Sequence, residues 1–166
     1  KTHHDRSYTK DAVNYYIMTQ RLKGRPIVSS NQLEKLSFPM GRIIAELHKV
    51  FLVCEEQEDF RENSLLQEMK GWIGDTLEAD GWTQVPKSIF EDTLKNLEAV
   101  YDTLPVQLIH RDVHFGNFLF DGECFSGYID FDLSQRNIRI FDLCYFMLGL
   151  LCEEEALTVT EEKWFQ

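Results

Sequence analysis

The chain has 166 residues, of which 43% are hydrophobic and 12 are phenylalanine, enough for one domain with a core of its own. Its formal net charge of -11 argues against a nucleic-acid backbone as partner and is compatible with a cationic small-molecule substrate, although solubility is the commoner reason for an acidic surface. No run is long enough to cross a membrane and no signal-peptide pattern is present; Cys54, Cys124, Cys144 and Cys152 form no C-x-x-C pair, so reduced thiols in a cytoplasmic protein are expected.

In chain order, residues 12–19 (Ala12 to Thr19) are β-branched and aromatic and predict a strand. The polar stretch from Gln20 to Pro26, with Gly24, breaks it. Ser29 and Gln32 stand in capping-box spacing and open a helix with the apolar stripe Met40, Ile43, Ile44, Leu47 and Phe51. Pro39 should kink or divide that helix, and His48 reads as a packed histidine. Residues 54–87 are polar and acidic; Phe60, Leu65, Leu66, Met69, Trp72 and Ile73 suggest an amphipathic helix, and Gly81 and Pro86 a loop. Ser88 and Glu91 form a second capping box, before the stripe Phe90, Leu94, Leu97, Tyr101; Pro105 ends this helix. Val106 to Ile109 predicts a short strand. Phe118-Leu119-Phe120 and Gly127-Tyr128-Ile129 flank the turn pair Asp121-Gly122 as a hairpin. Asp142 opens a helix that is apolar nearly all round and so is predicted to be buried, with Cys144 and Cys152 acting as small hydrophobes. There are no internal repeats and no low-complexity tract.

The chemistry concentrates in His110-Arg111-Asp112-Val113-His114-Phe115-Gly116-Asn117 and, one hairpin later, Tyr128-Ile129-Asp130-Phe131-Asp132. Phosphoryl transfer from ATP needs a carboxylate to orient the attacking hydroxyl, and an amide and a carboxylate oxygen to hold magnesium on the phosphates. Asp112 is the candidate base, and Asn117 and Asp130 are the candidate metal ligands. Each has a plainer role to set beside it: a turn former for Asp112, a strand-start residue for Asn117. Asp130 interrupts an apolar strand, where a carboxylate is costly unless paired or metal-bound. His110 reads as bonding backbone around the loop rather than as an acid or base. His114 either faces substrate or supports the loop. Asp132 either adds an acceptor near the metal or caps the following turn. Asp142 is also a favourable charge at a helix N-terminus.

These motifs resemble those of kinase-fold small-molecule phosphotransferases, the aminoglycoside phosphotransferase and choline kinase group, whose catalytic loop reads His-Gly-Asp-Leu-His-Pro-Gly-Asn and is followed by Ile-Asp-Phe-Gly or Ile-Asp-Phe-Asp. His110, Asp112, His114, Gly116, Asn117 and Asp130 match; Arg111, Val113 and Phe115 depart. The resemblance is specific from His110 to Asp142. It implies an α+β fold: the mainly helical C-terminal lobe of the protein-kinase-like fold, with short catalytic-loop β-hairpins. It implies ATP and magnesium as cofactors and a hydroxyl of a small molecule, such as an aminoglycoside, choline or homoserine, as acceptor. It makes Thr19, Gln20, Arg21 and Leu22 the hinge that binds adenine through backbone groups, and Asp142 the anchor of the catalytic loop. Residues 1–24 then end an N-terminal lobe and residues 25–166 form the catalytic lobe.

That family also carries a Gly-rich loop and a strand lysine upstream of the hinge. Neither is found; Lys1 and Lys10 lie too close to the start. The expectation is a C-terminal lobe fragment that folds, binds magnesium-ATP weakly and turns over little. Apolar surface near Tyr15-Tyr16-Ile17 should be exposed and drive self-association. Two other readings compete. His110, Asp112 and His114 at alternating positions can be written as ligands of a metal hydrolase, which leaves Asn117 and Asp130 unexplained. A non-catalytic kinase-like binding module is the other, against which the intact Asp112, Asn117 and Asp130 argue.

Overall fold

A computed structural model describes residues 8–17, 20–26 and 33–152. Helices and short antiparallel strand pairs are mixed along the chain, as an α+β reading expects. β1 (Tyr8–Lys10) and β2 (Tyr15–Ile17) form a hairpin. The predicted strand therefore starts at Tyr15, three residues late. Asp11 accepts from the backbone N–H groups of Val13 and Asn14 at 2.8 and 2.7 Å, and this local turn outcompetes the β propensity of Ala12 and Val13. Tyr16 and Ile17 are exposed. Ser29, Gln32 and the strand end at Met18 and Thr19 lie outside the described residues.

The long helix α1 (Leu33–Glu55) runs through Pro39 undivided. Pro39 sits on its exposed side, where solvent can satisfy the carbonyl that loses its partner. The expected stripe is the buried face: Met40, Ile44, Leu47 and Phe51 are buried and Ile43 is partly so. The amphipathic stretch after it is broken into α2 (Leu65–Glu68), a π-type turn (Met69–Ile73) and α3 (Gly74–Ala79). Gly71, at φ -100° and ψ -116°, makes the kink between them. Helix α4 (Lys87–Val100) begins one residue before Ser88, so the expected capping box does not form. Pro86 takes the N-cap position instead, its carbonyl accepting from the Ile89 and Phe90 N–H groups at 3.0 and 3.2 Å, which places Ser88 inside the first turn.

β3 (Arg25–Pro26), β5 (Phe118–Asp121) and β6 (Cys124–Tyr128) form one antiparallel sheet, with β3 at an edge, where a proline costs no ladder bond. The β5–β6 hairpin is the predicted one, with Asp121 paired to Cys124 across Gly122. β4 (Val106–Ile109) matches its expected span, and its partner β7 (Gln135–Ile138) has no hydrophobic pattern to announce it. Gln135 and Asn137 are nevertheless buried. Asn137 Oδ1 accepts from the Leu65 N–H at 3.3 Å and the Tyr101 hydroxyl at 3.4 Å, and Asn63 Nδ2 reaches Gln135 Oε1 at 3.4 Å. Polar pairing to the α2 segment accompanies the burial of Ile138 in this strand, while the Gln135 and Asn137 amide nitrogens find no partner among the described residues.

Helix α5 (Ile140–Cys152) is not buried all round, contrary to its composition. Asp142, Phe146 and Leu150 face inward towards α1, while Leu143, Cys144, Met147 and Leu148 are exposed, because the described elements cover only one side of it. Cys144 is accordingly a surface thiol; the Cys152 side chain lies outside the described residues. No helix among the described residues is long and apolar enough to cross a membrane.

The core joins α1, the loop of residues 110–117, the hairpin and α5. Met40, Ile44, Val113, Phe115, Phe118 and Phe146 form one cluster, and Leu47, Phe51 and Leu108 a second. Tyr128 packs against both and donates to the Ile43 carbonyl at 2.5 Å. Burial, with the Glu46 carboxylate adding to it, pushes the Tyr128 hydroxyl up from 10.0 to about 12. A raised folded pKa gives stability that is fully present below pH 10 and lost as pH rises through 12. The expected loss is about 1 kcal/mol once solvent screening of a half-exposed group is allowed for. Urea unfolding at about pH 9 and about pH 11.5 should show that drop, and Tyr128→Phe should flatten it.

Candidate active site

The site is assembled by one residue from below. Asp142, fully buried in the first turn of α5, accepts from the backbone N–H of Arg111 through Oδ1 at 2.8 Å and from that of His110 through Oδ2 at 2.9 Å. His48 on α1 donates to Oδ2 from Nε2, also at 2.9 Å, and its own carbonyl accepts from Gln107 Nε2 at 3.1 Å. The loop is thereby bolted to α1 and α5, and His48 is packed as expected.

His110 is 1% exposed, and both its ring nitrogens serve backbone. Nε2 bonds the Ile129 carbonyl at 3.0 Å, so it carries the proton, and Nδ1 accepts from the Asp112 N–H at 3.4 Å. His114 spends Nδ1 on the Gly116 N–H at 3.1 Å, which leaves Nε2 to face Asp112 Oδ2 at 3.4 Å. That close wrap explains the glycine: a Cβ on Gly116 would stand 2.6 Å from the His114 ring. With three of the four ring nitrogens spent on backbone, His110, Asp112 and His114 do not converge as a metal-binding trio. Among the described residues no group of three or more His, Cys, Asp and Glu side chains is placed to hold a metal ion.

Asp112 is the hub. Its Oδ2 accepts from Asn117 Nδ2 at 3.0 Å, and Oδ1 accepts from the Tyr145 hydroxyl at 3.0 Å. Asn117 Nδ2 also donates to the Asp112 carbonyl at 2.9 Å. Both donor hydrogens of the amide thus point at Asp112, and Asn117 Oδ1 accepts from no described group. The Asn117 carbonyl accepts from the Ile129 N–H at 3.1 Å, which fastens the loop to the residue preceding Asp130. Asp130 itself is exposed at φ 65°, and its carboxylate has no partner among the described residues. An amide oxygen and a free carboxylate are hard oxygen donors of the kind magnesium takes. Asp132 is exposed and accepts no hydrogen bond from described residues, so it caps no turn there.

Of the residues expected to form a hinge, Gln20, Arg21 and Leu22 are exposed coil between β2 and β3, and Thr19 lies outside the described residues. Leu22 leans on the hairpin of the site: a Cβ on Gly127 would meet its Cδ1 at 2.6 Å.

Sequence reasoning missed Tyr145 and Glu68. Tyr145 follows Asp142 by three positions, hence one turn along the same helix face, and that spacing was the available signal. Burial, followed by its bond to the Asp112 carboxylate, raises the Tyr145 pKa and keeps the hydroxyl a donor. Glu68 meets Arg111 across 43 residues of chain, with no local pattern to mark it.

An aspartate and an asparagine in one clamped loop, with a second aspartate across a hairpin, are the parts of a phosphoryl-transfer site. The chain belongs to the phosphotransferase enzyme family, whose profile matches residues 1–163. It is thus a kinase-type phosphotransferase. A comparison with curated proteins returned no match.

Proposed function

We propose that this chain carries the catalytic lobe of an ATP- and magnesium-dependent kinase that phosphorylates a hydroxyl of a small molecule. The observation that carries the reading is the Asp112 hub, a carboxylate held on both oxygens within one loop of the unpaired Asp130. Asp112 accepts the hydrogen bond of the acceptor hydroxyl and aims its oxygen for in-line attack. It takes up the proton as the new O–P bond forms and the bond to the leaving diphosphate breaks. Tyr145 and Asn117 restrict its rotation, so the carboxylate is aimed before the acceptor arrives. Asn117 Oδ1 and Asp130 would hold magnesium, and Thr19, Gln20, Arg21 and Leu22 would receive the adenine. Magnesium-ATP, when bound, supplies the phosphoryl group and neutralises charge on it.

The net charge of -11 favours a cationic alcohol, such as choline or an aminoglycoside, as acceptor. Free cysteines fit a cytoplasmic setting. The test is ADP release by the longest natural form of the protein with magnesium-ATP and a panel of choline, ethanolamine, homoserine, aminoglycosides and neutral sugars. Acceptor-stimulated release with at least one cationic alcohol is the expected result. A folded protein that none of the panel stimulates would overturn the reading.

A further inference from the structure

Arg111 stands in a left-handed conformation, φ 71°, which favours glycine and strains a long side chain. Such strain persists where the surroundings over-determine the backbone, and around Arg111 they do. Its backbone N–H is held by Asp142. Its Nη2 lies 2.6 and 2.8 Å from the two carboxylate oxygens of Glu68, with the side chains 21% and 11% exposed. Glu68 is itself fixed: Asn63 Nδ2 donates to its Oε1 at 2.9 Å, and the Asn63 N–H bonds the Arg136 carbonyl on β7 at 3.0 Å. Glu68 is also the last residue of α2, directly before the π-type turn.

Resting on the phosphotransferase reading above, we infer that Glu68 and Arg111 are positioning residues: their ion pair ties the catalytic loop to β7 and sets the direction of Asp112. Two routes lead from the pair to that carboxylate. One is the backbone, because the φ of Arg111 orients the next residue. The other passes through rings: the Arg111 guanidinium lies 6.0 Å from the Phe141 ring, Phe141 stacks on Tyr145 at 5.9 Å, and Tyr145 donates to Asp112 Oδ1. A short, largely desolvated charge-assisted pair is strong enough to hold such an arrangement. Loss of the pair frees the loop to relax from its strained φ, and a misplacement of even 1 Å is costly in transfer chemistry.

Glu68→Gln is the variant of choice, because a glutamine keeps the shape and an oxygen for Asn63 while removing the charge. Hydrogen exchange followed by mass spectrometry should show peptides covering residues 110–117 exchanging about ten-fold faster, with strands β4 and β7 unchanged. In magnesium-ATP turnover, with the best acceptor of the panel or with water, kcat should fall about ten-fold while KM for ATP stays within about two-fold. Arg111→Asn, which tolerates the left-handed backbone, should match it in both measurements, and serves alone if Glu68→Gln fails to fold. The double variant should lose no more than either single one. Unchanged loop exchange, or unchanged kcat in variants for which Asp112→Asn is inactive, would overturn the tether. Turnover absent even in the unaltered protein counts against the phosphotransferase reading, and loop exchange then decides the tether by itself.

Discussion

Replacing Asp112 by asparagine should lower kcat for phosphoryl transfer by about 10²–10⁴-fold, the usual cost of losing a positioned base. The fold should tolerate the change. The asparagine Oδ1 can keep the bond from Asn117, and its Nδ2 can donate to the Tyr145 oxygen once that hydroxyl turns, since a phenol both donates and accepts. His114 Nε2, at 3.4 Å, is too loosely held to add much. Melting temperature should therefore move little while turnover collapses, and KM for ATP should stay close to its starting value. Stopped-time assays of ADP release, paired with calorimetry of the same samples, measure both. Turnover near that of the unaltered protein would remove Asp112 from its role and leave it as a turn former.

Asp142→Ala should show the largest stability loss. The carboxylate is fully buried and satisfies two backbone N–H groups and the His48 ring. Alanine orphans all three donors and leaves a void beneath the loop. At roughly 1–3 kcal/mol for each unsatisfied buried group, and allowing for relaxation and non-additivity, a loss of about 3 kcal/mol or more is expected. Asp142→Asn should recover part of it, because one amide oxygen can still accept. Urea titration at neutral pH checks the order of the three proteins. Unchanged stability of the alanine variant, with activity lost, would move Asp142 from support to direct participation.

Much of the site was legible because its chemistry is local. Asp112 and Asn117 share one loop, and the hairpin that leads from them to Asp130 is written in the runs flanking Asp121-Gly122. The stripe of α1 was equally plain, since Met40, Ile44, Leu47 and Phe51 follow the helical period and that period alone fixes a face. Where local signals competed, the sequence misled. The Asp11 side chain captured backbone that β propensity assigned to a strand, and Pro86 started α4 before the Ser88 box could.

The rest depended on long-range partners that no window of sequence contains. β7 is a buried polar strand, stabilised by α2-side groups some 72 residues earlier in the chain. The composition of α5 predicts burial all round, yet burial depends on how many neighbours arrive, and the described residues cover one face. Tyr145 reaches Asp112, and Glu68 reaches Arg111, only because α5 and α2 both dock on the loop. The sequence by itself marked which groups are candidates for the chemistry, because reactive side chains and turn-forming residues act over a few positions. The tertiary structure decided how those groups are aimed, because holding a carboxylate or a strained backbone in place takes contacts between segments far apart in the chain.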